Sequence, residues 1–147
     1  MFQHPSVKSQ EVKIMANEKS KFLTPSLPLA ESRELDYKYV DNYGDLVRQN
    51  FKNMILTIPG ERAMNSDFGV GVQRYLFESS IDATAGIKER VVSQAKKYMS
   101  FVKVSNVLVQ PSKAGDSMSV RIFYSVPSLA IEEYINLSFN SDGSLIS

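Results

Sequence analysis

Apolar residues recur along this chain with two different periods, and the change of period organises it. From Tyr43 to Ile58 the positions Tyr43, Leu46, Val47, Phe51, Met54, Ile55 and Ile58 mostly fall three or four apart, with Arg48, Gln49, Lys52 and Asn53 between them. That spacing predicts an amphipathic helix. Asp41 and Asn42 precede it as capping residues, Asp45 lies in its first turn, and Pro59-Gly60 stops it. A second helix is predicted from about Asp82 to Ser100, with Ile87, Val91, Ala95 and Tyr98/Met99 as its stripe. Lys96 and Lys97 sit in its last turn, where positive charge suits the helix dipole. From Phe101 onward the period falls to two. Phe101–Gln110 reads as a strand rich in valine, and Pro111–Asp116 turns the chain. Met118, Val120, Ile122, Tyr124 and Val126 alternate through a second strand. Pro127-Ser128 turns again, and Ile131, Ile135, Leu137 and Phe139 mark a third. In the first strand Val102 and Val104 have the opposite parity to Val107 and Val109. Either a bulge lies near Ser105-Asn106 or both faces are covered there.

Two stretches follow neither period. Residues 59–80 form an irregular centre, in which Gly60, Gly69 and Gly71 mark backbone positions needing φ > 0 or close approach. Within it, Val72–Glu78 predicts a short helical turn that packs Leu76 and Phe77 inward. Residues 1–35, broken by Pro5, Pro25 and Pro28, read as an extended or disordered arm. Such an arm is either a poorly ordered terminus or a segment that orders on a neighbouring subunit. Met15 offers a second candidate start within it. The expected architecture is α+β: two main helices packed on a three-stranded antiparallel sheet, with an extended N-terminal arm. The expected domains are the arm, 1–35, and a single α+β domain, 36–147.

Composition narrows the chemistry. The 147 residues hold 17 Lys+Arg against 16 Asp+Glu, a net charge of +1, which argues against a nucleic-acid partner. There is no Cys and a single His, His4, so disulfides, thiol nucleophiles, Cys-based metal sites and a Ser-His-Asp triad have no residues to build them. No cofactor or metal is expected. The N-terminal residues lack the pattern of a signal peptide, and the apolar runs fall far short of the ~20 residues a membrane helix needs. The expected location is cytosolic or virion-associated, with no membrane partner.

The irregular centre holds several charged residues that a site could use. Gly60, Gly69 and Gly71 lack the Gly-Lys-Ser/Thr ending and the preceding strand of a phosphate loop. Glu61, Asp67 and Glu78 are candidate carboxylates for glycoside hydrolysis, against the simpler reading as solvated loop acids. Arg62 and Arg74 are candidate phosphate ligands, against local ion pairing beside Glu61. Tyr37, Tyr39 and Tyr43 read as amphipathic packing and not as a base-stacking platform. The sheet offers a different chemistry. A three-stranded meander has two open edges of unpaired backbone groups, and Glu132–Asn140 contains no inner Pro or Lys to blunt pairing. Partner strands can add to such an edge.

Ile55-Leu56-Thr57-Ile58-Pro59-Gly60-Glu61-Arg62-Ala63-Met64, then Asp67-Phe68-Gly69-Val70-Gly71, then Leu76-Phe77-Glu78, resembles the signature of the sheath-initiator family. These are the lysozyme-like baseplate wedge proteins of contractile phage tails, also found in type VI secretion and related injection systems. The resemblance runs over about residues 40–140, and its motif residues here are Pro59, Gly60, Glu61, Arg62, Phe68, Gly69, Gly71, Leu76, Phe77 and Glu78. The family's Glu-Pro-Arg triplet is absent: the corresponding junction reads Tyr98-Met99-Ser100-Phe101-Val102. The resemblance implies a structural virion protein of the tail baseplate with no enzymatic activity. It implies the tail sheath and baseplate wedge proteins as partners, the tail tube as a further neighbour, and six copies around the tail axis. Its sheet would template the first sheath ring by strand addition, with Tyr134, Asn136 and Ser138 as candidate sheath contacts. The alternative function is a peptidoglycan-cleaving tail enzyme of lysozyme type, and a third is a free-standing α+β adaptor. Gly60, Gly69 and Gly71 are expected in conformations awkward for other residues. Arg62 is expected to reach a carboxylate or backbone carbonyl, and Ile135, Leu137 and Phe139 to face the helices.

Overall fold

Capping and alternation explain most of the elements. The structure is a computed structural model that describes residues 24–29, 39–76, 78–112 and 117–146. The chain divides into two units, Met1–Gln49 and Asn50–Ser147. Apart from residues 24–29, the expected arm lies outside the described residues, as do Phe77 and most of the Pro111–Asp116 turn.

In the first unit, β1 (Thr24–Pro25) and β2 (Tyr39–Val40) form an antiparallel ribbon with Thr24 opposite Val40. Helix α1 (Tyr43–Leu56) starts here and continues into the second unit. Its start is set by Asn42, whose Oδ1 accepts the Asp45 N–H at 2.8 Å, as expected of a cap. On α1, Gln49 accepts the Leu27 N–H at 2.9 Å and donates to the Pro25 carbonyl at 3.0 Å.

The second unit holds the end of α1, helix α2 (Ser80–Tyr98) and a sheet of β3 (Lys103–Pro111), β4 (Ser117–Val126), β5 (Ile131–Asn140) and β6 (Leu145–Ile146). The strand order is β3-β4-β5-β6, antiparallel throughout. The expected three-stranded sheet is therefore corrected. The described residues form a four-stranded sheet and a separate two-stranded ribbon, still in an α+β chain. The three added strands, β1, β2 and β6, have two residues each, too short to display a period of two. β6 is made by a local turn: Asn140 N–H donates to the Ser144 carbonyl, Gly143 N–H returns to the Asn140 carbonyl, and the Asp142 carboxylate accepts the Ser144 N–H. Gly143 takes φ 84°, which its missing Cβ permits.

α2 begins two residues earlier than its apolar stripe predicts, because Ser79 caps it by accepting the Asp82 N–H at 3.3 Å. Ile87, Val91, Ala95 and Met99 of the expected stripe are buried. β4 alternates between buried and half-buried residues along its whole length. On β5, Ile135, Leu137 and Phe139 share the buried face with β4's Val120, Ile122 and Tyr124. The parity break in β3 is a bulge: the register with β4 shifts between Val104 and Asn106. The strand starts at Lys103 and not Phe101, which stands 47% exposed before it.

Phe51, Met54 and Ile55 at the end of α1 are fully buried, and the Phe51 ring lies 4.9 Å from that of Tyr124 on β4. Truncating Phe51 removes an aromatic contact and opens a cavity that its neighbours cannot fully close. Phe51→Ala is expected to lower unfolding free energy by about 3–5 kcal/mol in urea titration. A loss below about 1 kcal/mol would place Phe51 outside the core.

Candidate functional site

The segment between α1 and α2 is held by a succession of backbone bonds. Pro59-Gly60 reverses the chain, and the Glu61 carboxylate accepts the Ile58 N–H at 3.0 Å. Gly60 N–H donates to the Ser66 carbonyl at 2.8 Å, and within that loop Asn65 N–H donates to the Arg62 carbonyl. Val70 N–H then bonds the Met54 carbonyl at 3.0 Å, tying the segment to the last turn of α1. A 3₁₀ turn at Val72–Tyr75 follows, and its Arg74 guanidinium donates back to the Pro59 carbonyl at 3.0 Å.

Gly60, Gly69 and Gly71 have φ of 99°, 113° and 65°, the left-handed side expected of them. At Gly69 the constraint is double, since an added Cβ would stand 2.2 Å from the Thr57 carbonyl oxygen. At Gly71 it would meet Pro59 Cδ at 2.9 Å. Arg62 differs from expectation. Its guanidinium sits 4.0 Å over the Phe68 ring, a cation–π contact in place of a carboxylate or carbonyl partner. Glu61, its neighbour, has its carboxylate turned back onto the chain.

What pins this loop is one face of α2. Gln94, 1% exposed, accepts the Gly69 N–H at 2.9 Å and donates to the Asp67 carbonyl at 3.0 Å. Arg90 donates to the same Asp67 carbonyl at 3.1 Å and to the Gly69 carbonyl at 3.3 Å. Lys97 Nζ meets the Asp67 carboxylate at 2.6 Å. Tyr98 donates to the Asn65 side chain at 2.9 Å and packs edge-on against Phe68, ring centroids 5.1 Å apart. Residues 90, 94, 97 and 98 recur at helical spacing, so they share a face. The sequence reading missed Arg90 and Gln94. The signal was a glutamine inside an apolar stripe, where a buried amide demands partners.

Three carboxylates were candidates for hydrolysis. The Lys97 ammonium, by hydrogen bond and then by charge, holds the Asp67 carboxyl below its ordinary range, with Arg90 adding to the effect. Asp67 in turn raises Lys97. Glu61 is a turn acceptor and Glu78 is an exposed residue of the segment before α2. Leu76 is half-buried. Among the described residues no group of three His, Cys, Asp or Glu is disposed to hold a metal ion.

The second feature is the sheet edge. The Asn140 N–H points to the β6 side of β5. Because backbone groups alternate along a strand, those of Ser138, Asn136, Tyr134 and Glu132 point the same way. β6 takes the stretch at Ser138 and Phe139, which face Ile146 and Leu145. Among the described residues, no strand pairs with the outward N–H and C=O groups of Glu132, Tyr134 and Asn136, beyond the two residues that β6 pairs. The opposite edge, on β3, is blunted by the bulge, by Asn106 Oδ1 accepting the Val107 N–H at 2.9 Å, and by Pro111, which has no N–H.

Replacing Gln94 by Leu leaves the Gly69 N–H and one Asp67 carbonyl bond without their amide partner. Gln94→Leu is expected to cost about 2–3 kcal/mol in urea unfolding. The Asp67–Lys97 pair adds a pH dependence. Asp67 is lowered on folding, so its stabilisation is present above the ordinary carboxylate range and is lost as pH falls through that range. Lys97 is raised, so its share is lost only as pH climbs past the ordinary lysine range. Asp67→Asn should flatten the acid limb of a plot of melting temperature against pH. An unchanged acid limb would mean that the pair does not hold the loop.

No family model matches the sequence, and no curated protein matches it. Solved structures do share its fold. A proposed tail lysozyme of Geobacter sulfurreducens aligns with a TM-score of 0.59 and 19% identity, over 70% of this chain and 95% of that one. A chain of the anti-feeding prophage baseplate, a six-fold symmetrised assembly, aligns with a TM-score of 0.58 and 22% identity, over 69% of this chain and 82% of that one. The fold is therefore one shared with a baseplate chain and with a proposed tail lysozyme.

Proposed function

We propose that this chain is a structural baseplate protein of a contractile tail or injection system, without catalytic activity. In this reading it binds baseplate wedge proteins, in six copies around the tail tube. It templates the first sheath ring by accepting strands from sheath subunits at the β5 edge. The observation that carries the reading is the asymmetry of the sheet. One edge is capped by its own side chains, while the other presents the outward backbone of Glu132, Tyr134 and Asn136 on a regular strand. Backbone pairing supplies affinity with little demand on side chains, which suits assembly of a repeating subunit. The fold shared with a chain of the anti-feeding prophage baseplate supports the same reading. Of the candidate contacts, Tyr134 and Asn136 lie on the free stretch, and Ser138 lies beside β6.

The tail-lysozyme neighbour favours peptidoglycan cleavage as the second reading. Its carboxylate pair would be Glu61 and Glu78. Clearing of a cell-wall suspension, lost in Glu61→Gln or Glu78→Gln, would establish it and displace the structural reading.

The edge gives the direct test. Asn136→Pro removes an N–H that points away from β4, so the isolated variant should melt within a few degrees of the parent. Leu137→Pro removes an N–H that points to β4 and should unfold it. Particles carrying Asn136→Pro should show baseplates with little or no sheath by electron microscopy. Full-length sheath on particles carrying a folded Asn136→Pro variant would overturn strand addition at β5.

A further inference from the structure

A groove of about 300 Å³ opens beside the free stretch of β5. Ser105 of the β3 bulge, Phe123 and Ser125 of β4, and Glu132, Glu133 and Tyr134 of β5 are among the residues that line it. Among the described residues that line it, only the two glutamates are charged. Glu133 accepts a hydrogen bond from the Tyr124 hydroxyl at 3.1 Å, which leaves its charge in place. Neither carboxylate forms an ion pair among the described residues. Lys103 faces Ser125, which faces Glu132, so that cation stands two strands away, roughly 10 Å by strand spacing. Phe123 and Tyr134 pair across the strands with ring centroids 5.7 Å apart, and Tyr134 is 53% exposed. Unneutralised carboxylates beside aromatic faces suit the ammonium or guanidinium of a long side chain.

We propose that this groove selects the strand that β5 accepts, and that the strand carries a lysine or arginine opposite Glu132. The proposal rests on the strand-addition reading and adds the chemistry of the partner. The occupant is a basic strand of another protein, and charge disfavours the pairing of two β5 edges. β5 itself holds Glu132 and Glu133 and no basic residue, so pairing two β5 edges would neutralise neither carboxylate. The charge near the edge then has two effects: it repels like strands and orients a basic one.

The test uses the full chain and two synthetic ten-residue peptides of one alternating Val/Thr frame, differing only in a central Lys or Glu. Binding is followed by amide NMR shifts and by titration calorimetry. The Lys peptide is expected to bind about fivefold more tightly, the scale of one favourable cross-strand charge pair. It should shift the amides of Glu132, Tyr134 and Asn136, and its advantage should shrink as salt rises. In Glu132→Gln/Glu133→Gln the two peptides should bind alike, which also checks that the strand site survives. In Asn136→Pro neither should bind. Equal binding of both peptides to the parent chain would overturn the charge selection and leave strand addition standing. A Lys preference retained in the double variant would overturn the role of the groove. Binding of neither peptide to the parent would overturn strand addition as well. Dimerisation of the chain alone in sedimentation velocity, abolished by Asn136→Pro, would overturn the choice of occupant.

Discussion

A buried amide has to find partners for both its donor and its acceptor, and in this protein Gln94 meets that requirement across a chain reversal. Its two ends are bonded to the Gly69 N–H and the Asp67 carbonyl. Because the amide is 1% exposed, breaking either bond leaves a polar group with no water to replace it. The surrounding contacts depend on that anchor. Arg90 reaches the Asp67 and Gly69 carbonyls, Lys97 neutralises the Asp67 carboxylate, and Tyr98 closes on Phe68 and Asn65. Gly69 makes the anchor sterically available, since any Cβ there would collide with the Thr57 carbonyl. A loop of more than twenty residues can be this regular because one helix face supplies its missing bonds.

The clamp also bears on what the polar residues of the loop are free to do. Glu61 stabilises the turn through the Ile58 N–H, and Asp67 is held ionised between cations. A carboxyl kept ionised is poorly suited to general-acid work, which needs a raised pKa. The parts of the loop that remain outward are of another kind: Met64 is fully exposed at the tip, beside an arginine laid over Phe68.

The sheet treats its two edges differently, and the difference is chemical. On β3 a side-chain oxygen occupies an N–H that an incoming strand would need, and proline removes another. On β5 the same protection is confined to the last residues, where β6 lies. Natural sheets block the edges they must keep free of partners. Among the described residues, β5 stays regular and unpaired on this side over Glu132–Asn136.

Local regularity was legible in the sequence, and pairwise meeting was not. The two helices, the three long strands and the cap at Asn42 follow from periods and capping residues, which are properties of neighbouring residues. The parity break in β3 left a bulge and a strand covered on both faces as alternatives, and the register with β4 decided for the bulge. The positive φ of the three loop glycines was legible because only their own backbone is involved. β6 and the β1–β2 ribbon escaped because two residues carry no period. Gln94 and Arg90 escaped because their partners lie more than twenty positions away, and nothing in a helical stripe tells which loop will fold against it. Arg62 was misjudged for a related reason. Its adjacent acid suggested an ion pair, and the fold turned that acid to the backbone and brought Phe68 under the guanidinium instead. By itself, then, the sequence determined the two helices, the three long strands and their order along the chain. Tertiary structure decided which edge is left unpaired among the described residues, because that depends on where Asn106, Pro111 and the turn before β6 come to rest against the sheet.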